Sequence, residues 1–213
     1  VRGGNIDQNL ILLDEAPIYN SSHAWGFFSI FNADAIKNLT LYKGGIPARF
    51  GGRASSVLDI RQREGNDKEF KGEGGIGVLF SRLTLEGPIK KEKLSFLVSG
   101  RRSYFDLFFP LAGDDEIKNN KVYFYDFNTK LSWTLNENNK LFISGYFGAD
   151  VMKLKFEGDV RDDGTNASNE QIDFKWKNAT ATARWNHIFS PKLFMNVSGI
   201  YSRYNYSLSS END

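Results

Sequence analysis

Residues that could carry out catalysis or hold a metal ion are few in this chain, and their spacing favours neither role. The two histidines, His23 and His187, lie far apart in the sequence, so the close pairing of a zinc site is absent. Cysteine is absent as well, which removes disulfides, thiolate ligands and cysteine nucleophiles. No serine lies in the glycine-flanked elbow from which a hydrolase triad starts. The sequence therefore predicts no enzyme, no catalytic residues, no metal site and no cofactor.

Two segments contain parts of a ligand-binding motif without completing it. Residues 159–166 carry oxygen donors and a turn glycine but lack the closing glutamate of a calcium loop, so a solvated loop is the better interpretation. The glycine-rich element at residues 43–52 does not end in Gly-Lys-Ser/Thr ahead of a helix, as a phosphate cradle would. Its glycines are more simply structural, since glycine lets the backbone turn tightly at positive φ.

A segment at residues 19–31 combines aromatic side chains with one histidine and small polar residues. If exposed, such a mixture would suit an amphipathic ligand. The alternative is that its aromatic side chains pack inside a domain. We expect packing for the phenylalanines, and a ligand-binding role for His23 and Trp25. The phenylalanines concerned are Phe27, Phe28 and Phe31.

Short elements must position these residues. Two β patterns, at residues 39–42 and 56–61, flank the glycine-rich element. Asn32 is suited to cap a short helix that follows the aromatic segment. The first part of the chain is therefore expected to be a small α+β unit.

From residue 70 onward the sequence predicts long strands joined by alternating short and long connections. The long loops are expected at residues 110–120 and 158–171, where proline, glycine and polar runs interrupt pairing. The predicted strands are 72–78, 82–89, 94–109, 122–135, 141–156, 174–189 and 193–208.

The strand faces differ in polarity. Along residues 123–133 one face is aromatic or apolar, while Asp126, Asn128 and Lys130 lie on the other. Residues 141–150 and 178–185 alternate in the same way. Such strands fit a transmembrane β-barrel with one face towards lipid and the other towards water, and no apolar run approaches the ~20 residues of a membrane helix. A soluble β-sandwich with polar outer faces is the alternative.

Charge excludes one class of partner. The 27 basic and 26 acidic residues are interspersed and leave a net charge of +1. No basic stripe indicates binding to nucleic acid.

In their order, the first elements resemble the plug domain of TonB-dependent receptors, the energy-coupled transporters of the bacterial outer membrane. The resemblance rests on Val1-Arg-Gly-Gly4, on the stretch from Asn9 to Tyr19, and on the glycine-rich element with its flanking strands. It implies that residues 1–66 are the C-terminal part of a plug. Residues 70–213 would then be about seven strands of an incomplete transmembrane barrel of ~22 strands. The chain would accordingly be a fragment.

The resemblance also implies function and partners. It implies active uptake of a nutrient across the outer membrane: a siderophore, a vitamin, an oligosaccharide or a peptide. Energy would come from the TonB complex of the inner membrane through a segment upstream of Val1, and the barrel would contact outer-membrane lipid. The alternative is a receptor-like barrel that serves as a structural or accessory subunit of a larger outer-membrane complex.

Particular residues take roles by this resemblance. Arg2 and Lys43 match basic positions that latch the plug to glutamates of the barrel, which here would lie beyond Asp213. A solvated surface charge is the other interpretation of Lys43. His23 and Trp25 would lie at the plug apex, where related receptors contact their ligand.

One sequence difference bears on the subgroup of TonB-dependent receptors that the chain resembles. Starch-utilisation-type receptors carry Leu-Lys-Asp-Ala-Ser-Ala where this chain reads Leu-Tyr-Lys-Gly-Gly-Ile from Leu41. A lid lipoprotein is therefore not expected. The chain looks closer to receptors with a carboxypeptidase-regulatory-like domain ahead of the plug.

Overall fold

The computed structural model of the chain describes residues 5–111, 118–156 and 170–212. The fold is mainly β and its largest sheet is antiparallel, which confirms the predicted class. Helical segments with described bounds are short 3-10 turns, at Ile6–Gln8, Ala24–Gly26, Ala33–Ala35, Phe105–Leu107 and Phe109–Leu111. The strands are β1 Asn9–Leu13, β2 Ala16–Pro17, β3 Ser22–His23, β4 Phe28–Ser29, β5 Ile36–Tyr42, β6 Ser56–Gln62, β7 Lys71–Ile76, β8 Phe80–Lys90, β9 Leu94–Ser103, β10 Lys121–Asn136, β11 Asn139–Phe156, β12 Glu170–Ser190 and β13 Leu193–Asn212.

Within these described ranges, no helix combines the length and the apolarity needed to cross a membrane.

Residues 5–66, called here the N-terminal unit, contain a four-stranded sheet in the order β2-β1-β6-β5. Strands β1 and β6 run parallel, and β6 is buried along most of its length. The glycine-rich element that joins β5 to β6 uses Gly45 and Gly52 at φ of 60° and 86°, a conformation that glycine adopts without strain. Asn32 caps the turn Ala33–Ala35 by accepting a hydrogen bond from the Asp34 amide, which confirms the predicted cap.

Strands β7 to β13 form one seven-stranded antiparallel sheet in sequence order, called here the wall. Strands β10 to β13 are 16 to 21 residues long, far longer than the ~5–6 residues usual in globular sheets. Among the described residues, the edge strands β7 and β13 do not pair with each other, so the wall is not closed.

The wall is inverted relative to a soluble sheet. Phe127, Ile143 and Phe147 point outward and are 45%, 46% and 37% exposed. The alternate residues Asp126 and Asn128 point inward and are 3% and 1% exposed. The polar face was expected to meet water, but the N-terminal unit lies against it and buries it. The apolar face is therefore the one without a protein partner in the described structure.

A compact apolar cluster holds the N-terminal unit together and receives one side chain from the wall. Tyr146 of β11 reaches into it and is buried. Most other inward side chains of β10 to β12 that meet the unit are polar. The buried residues of the unit in this cluster are Leu13, Ile18, Ile30 and Ile60. The unit thus has its own core, while its contact with the wall is largely polar.

Several predicted boundaries were wrong: β12 begins at Glu170 rather than at residue 174, and β13 ends at Asn212 rather than at residue 208. Strand β9 ends at Ser103 rather than at residue 109, because the chain turns into the 3-10 segments Phe105–Leu107 and Phe109–Leu111. The aromatic run there does not alternate with polar residues, so it cannot continue a strand with one polar face. The connection between the strands predicted at 122–135 and 141–156 is shorter than expected, since Asn136 and Asn139 already pair with each other.

Gly65 joins the N-terminal unit to the wall in a conformation that an alanine could not copy. Its φ is +79°, and an added Cβ would collide with the backbone carbonyl of Phe96 in β9. We expect Gly65→Ala to lower the free energy of unfolding by more than ~1 kcal/mol. Gly51→Ala is the control, because a Cβ there meets open space. Equal urea midpoints for the two variants in the detergent-solubilised full-length protein would contradict the assignment.

Candidate functional site at the interface between the N-terminal unit and the wall

The turn between β1 and β2 points two carboxylates at the wall. Asp14 and Glu15 have φ of 46° and 76°, so both residues of this two-residue turn adopt the left-handed conformation of a type I′ hairpin. Such a conformation is uncommon for residues other than glycine, asparagine and aspartate, and Glu15 is therefore the costlier of the two. The turn costs backbone energy and brings both side chains to the same surface of the unit.

Asp14 accepts hydrogen bonds from Lys130 of β10. The Lys130 Nζ lies 3.1 Å from Oδ1 and 2.9 Å from Oδ2, and it also donates to the Gln62 carbonyl at 3.1 Å. The side chains of Lys130 and Asp14 are 4% and 6% exposed. The ammonium group of Lys130 thus has three acceptors, and its charge is balanced by the Asp14 carboxylate. Neither buried charge is left unpaired at this interface.

Glu15 bridges the unit and the wall. Its Oε1 accepts from Arg61 of the unit at 2.9 Å and from Arg184 of β12 at 3.2 Å. Burial raises the pKa of Glu15, but hydrogen bonds from Ser198, Arg61 and Arg184 lower it by more, so that its pKa lies below the ordinary value. Glu15 therefore stays ionised between two guanidinium groups.

His23 lies in a second cluster, close to the end of the wall that leads to the long connections. Its Nδ1 lies 2.6 Å from Asp150 Oδ2, and its Nε2 lies 3.3 Å from Asp126 Oδ2 without hydrogen-bond geometry. The imidazole stacks on Phe124 with ring centres 4.4 Å apart. The ring is 1% exposed, because the strand pair β3–β4 presses it against β10 and β11.

The two carboxylates around His23 have further partners. Asp126 accepts from Arg101 Nε at 2.8 Å, while another nitrogen of Arg101 donates to the Ser29 carbonyl at 2.6 Å. Asp150 accepts from the Ala24 amide at 2.9 Å and from the Trp176 indole. The cluster therefore holds residues 23–29 against three strands of the wall.

The net charge of this cluster makes the protonated histidine favourable. Burial lowers the pKa of His23, but Asp126 and Asp150 raise it by more, and the pKa lies above its ordinary value of 6.5. A positive imidazolium would then be bound between two carboxylates of the wall.

Further contacts complete the interface near β8 and β9 and along β12 and β13. Arg63 of the unit pairs with Glu86, and Arg82 of the wall pairs with Asp34. The N-terminal unit and the wall therefore each contribute both a cation and a carboxylate to this part of the interface. Neutral hydrogen bonds join Asn32 to Ser99 at 2.7 Å, Ser95 to the Glu64 carbonyl at 2.8 Å, Asn178 to the Asn20 carbonyl at 2.9 Å and Ser202 to the Pro17 carbonyl at 2.6 Å.

The residues that the sequence suggested for ligand binding and for the latch lie in different surroundings. His23 is buried between the two wall carboxylates, and its ligand-binding role stays a prediction. Trp25 lies in the 3-10 turn Ala24–Gly26, and its side chain lies outside the described part of the structure. Lys43 is exposed and forms no ion pair with any residue that the structure describes. Arg2 lies outside the described residues.

Sequence reasoning did not single out the residues that connect the two parts. Asp126 and Lys130 were placed on the polar face of β10, but their partners Asp14 and His23 come from turns and short strands. A signal was present in the spacing: a strand whose polar face carries formal charges at positions 126 and 130 needs a charged partner if that face is buried.

The His23 cluster predicts a pH dependence. Because the pKa of His23 is raised in the folded protein, its contribution to stability is complete below the ordinary pKa of 6.5 and is lost as the pH rises through the raised pKa. We expect His23→Gln to destabilise the interface more at about pH 5.5 than at about pH 9. Hydrogen exchange of the residue 22–29 amides measures this, with His187→Gln, on the outward wall face, as the control. A pH-independent difference would exclude the imidazolium as the bound form.

Comparisons with known proteins address the fold. No protein-family model and no curated protein matches the chain. The siderophore receptor PirA from Acinetobacter baumannii is similar, with 16% identity over 97% of this chain and 38% of the receptor, and a TM-score of 0.51. A ferric enterobactin receptor (PfeA) mutant from Pseudomonas aeruginosa is similar, with 16% identity over 99% of this chain and 38% of the receptor, and a TM-score of 0.50. The chain thus has the fold of part of these receptors and spans less than two fifths of their length.

Proposed function

We propose that the chain is part of a TonB-dependent receptor of the bacterial outer membrane. The observation that carries this proposal is the inverted wall, which has an apolar outward face and a polar inward face covered by an ionic interface. A soluble sandwich buries its apolar faces between its sheets, whereas a membrane barrel turns them to lipid. The similarity in fold to PirA and PfeA supports the same assignment.

The N-terminal unit would act as the plug, with residues 1–66 in the unit and 70–213 in the barrel. Its own apolar core lets it move as a body, and its charged contacts with the wall could be broken by force and re-formed. That force would come from the TonB complex. Arg2 and Lys43 would latch the plug to acidic residues of the barrel. The long connections, at residues 110–120 and 158–171, would be extracellular.

An aromatic surface lies beside the His23 cluster on the inward face of the wall. The Phe174 ring contacts Trp176 with centres 4.7 Å apart and Tyr206 with centres 5.3 Å apart, and Tyr206 is 52% exposed. Ala24, next to Trp25, lines a small pocket with Phe174 and Trp176. Exposed rings of this kind would take an amphipathic cargo such as a siderophore, a vitamin, an oligosaccharide or a peptide.

Trp25 and Tyr206 should therefore contribute to ligand capture. Apolar ligand surface buried on a ring gains ~25 cal/mol per Å², so we expect Trp25→Ala and Tyr206→Ala each to raise the Kd several-fold without affecting assembly. His23→Ala is tested separately, because the ring also holds the interface. Titration of the purified full-length variants with a ligand identified by uptake measures the effect. Unchanged Kd values would place the binding surface elsewhere on the barrel.

A reversible lock tests transport. Asn32 and Ser99 touch across the interface, and the chain contains no cysteine of its own, so Asn32→Cys with Ser99→Cys can tie the unit to the wall. Asn9→Cys with Ser56→Cys ties two strands within the unit and is the control. Uptake of labelled ferric enterobactin, cobalamin, maltohexaose and a tetrapeptide is measured in energised cells that carry the full-length gene.

We expect the interface lock to stop uptake of the transported cargo until a reductant is added, and the control lock to leave uptake unchanged. Removal of TonB should abolish uptake in every strain. Cargo that still enters through the locked protein would overturn the proposal. If no cargo enters while a membrane complex is lost on gene deletion, the chain serves instead as an accessory subunit.

A further inference from the structure

The two faces of the wall exchange their polarity along β10–β13. Against the N-terminal unit the inward side chains are polar, as at Asp126, Asn128 and Lys130. Beyond the His23 cluster, towards the long connections, the strand register places mainly aliphatic and aromatic side chains inward. This group, called here the inner apolar face, consists of Val122, Met152, Leu154, Phe156, Ile172, Phe174, Trp176, Tyr206 and Leu208.

The outward residues at the same height are mostly charged or hydrophilic, which indicates that water surrounds this part of the wall. An apolar face on its other side is therefore not explained by contact with lipid, since the lipid-facing side chains of the wall are outward ones such as Phe127. The hydrophilic outward residues here are Lys121, Lys153, Lys155, Gln171, Asp173, Lys175, Ser207, Ser209 and Glu211.

Much of the inner apolar face is open in the described structure. Phe156, Tyr206 and Leu208 are 46%, 52% and 58% exposed. Exposed apolar side chains that gather on one surface mark an interaction site. The face lies next to the pocket between Ala24 and Trp176, so a molecule bound on it would also meet the N-terminal unit.

The N-terminal unit extends this surface without adding charge. Residues 19–33 contain no lysine, arginine, aspartate or glutamate, and the histidine among them is buried. Tyr19 is 57% exposed, and its ring lies 6.2 Å from that of Tyr204 on the inward side of β13. Aromatic side chains of the unit and of the wall thus form a joint surface.

The carboxylates at the borders of this surface have no free cation beside them. Asp150 lies at its lower edge and Glu170 at its upper edge, while no lysine or arginine of the described strands β10–β13 points inward between these two levels. Arg101 of β9 is 9% exposed and donates to Asp126 at 2.8 Å and to the Ser29 carbonyl at 2.6 Å. It is therefore already occupied by protein acceptors.

This chemistry separates the candidate cargoes. An anionic cargo would give up its hydration for a surface that offers carboxylates and no free cation, which is unfavourable. The hydroxyl groups of an oligosaccharide would find few partners among aliphatic side chains such as Met152, Leu154 and Ile172. Apolar groups gain free energy when they leave water for such a surface.

We propose that the inner apolar face selects a predominantly apolar cargo without net negative charge. The proposal rests on the uptake function proposed above and narrows its cargo, because it sets aside anionic siderophores and oligosaccharides. The occupant is a cargo molecule in transit, and its recognition combines apolar contact with exclusion of anions.

The test compares two neighbouring positions that point to opposite sides of the wall. Leu208 faces Phe174 across the β12–β13 ladder, and Ser207 faces Lys175. The chain has no cysteine, so Leu208→Cys and Ser207→Cys each introduce one thiol. Both are made in the full-length protein, with any cysteine elsewhere replaced by serine, in phosphatidylcholine nanodiscs. Mass spectrometry follows thiol modification by an anionic, a cationic and an uncharged methanethiosulfonate reagent.

We expect the ratio of the anionic to the cationic rate to be at least tenfold lower for Leu208→Cys than for Ser207→Cys, because the local potentials differ in sign. Equal ratios would overturn the proposal. If the uncharged reagent modifies Ser207→Cys but not Leu208→Cys, other parts of the protein cover the face and the proposal also fails. Tyr206→Cys, on the same face, replaces Leu208→Cys if that variant does not assemble.

The cargo itself supplies a second arm. Ferric enterobactin, a trianion, and maltohexaose should not slow modification of Leu208→Cys by the uncharged reagent at micromolar concentration. Protection by either one would show that the face accepts an anion or a sugar and would overturn the proposal. Membrane insertion and TonB-dependent uptake report separately on the proposed function, since a receptor that takes up ferric enterobactin would fail this test and still be a receptor.

Discussion

Phe127→Arg is expected to impair insertion of the full-length protein into the outer membrane, at a cost of about 2–4 kcal/mol. Phe127 lies near the centre of β10, points outward and is 45% exposed, so an arginine there would be placed in hydrocarbon. Phe147 faces it across the β10–β11 ladder, and Phe147→Arg should have a similar effect. The fraction of protein that resists SDS at room temperature measures assembly.

Ser207→Arg is the matched control for this experiment. Ser207 is exposed and lies on the same outward face, but beyond Tyr201, where the apolar residues of that face of β13 end. The same guanidinium group would then meet headgroups and water, and we expect assembly to be unchanged. If Phe127→Arg and Ser207→Arg assemble equally well, the outward face does not contact lipid and the barrel assignment fails.

Asn128 illustrates what the sequence of a strand leaves open. From the alternation of β10, Asn128 is expected to tolerate arginine, because its face is polar. The structure shows Asn128 at 1% exposure under the N-terminal unit, where an added guanidinium would have neither space nor a partner. Alternation identifies the two faces of a strand, but it does not say what covers the polar one.

Long regular elements were predictable because their signal is local and repeated. Strands β10, β11 and β12 each contain a long stretch that alternates between apolar and polar residues, and the turns before β11 and β13 contain asparagine and proline. Strand β9 was predicted too long because its aromatic end gives no alternation. Only the structure shows which glycines of the glycine-rich element need to be glycine. Gly45 and Gly52 have positive φ angles, and the other glycines of the element do not.

The interface was not predictable because its contacts are between residues distant in sequence. Asp14 and Lys130 are 116 residues apart, and His23 and Asp150 are 127 residues apart. A lone histidine in an aromatic segment was interpreted as a ligand contact, whereas the acidic residues that surround it come from two different strands. Such pairing follows from the docking of one sheet on another, which no local pattern encodes.

Lys130→Ala is expected to lower the free energy that holds the N-terminal unit against the wall by about 3–5 kcal/mol. The change would leave the Asp14 carboxylate buried, at 6% exposure, without the ammonium group that it now faces at 2.9 Å. Asp14 would keep only the Gln62 amide as a donor, at 3.2 Å. Hydrogen exchange of the β1 and β6 amides in the detergent-solubilised full-length protein measures this loss as local opening.

Lys37→Ala provides the control, because Lys37 and Glu64 form an ion pair of nearly the same length, 2.8 Å, on the surface of the same unit. Their side chains are 55% and 43% exposed, and solvent screening limits such a pair to about 0–1 kcal/mol. Removing both buried charges, as Asp14→Asn with Lys130→Met, should restore most of the stability, because no unpaired charge remains. If Lys130→Ala and Lys37→Ala open the unit to the same extent, the buried pair does not hold the unit in place. The neutral hydrogen bonds of Asn32, Asn178 and Ser202 would then have to supply that attachment.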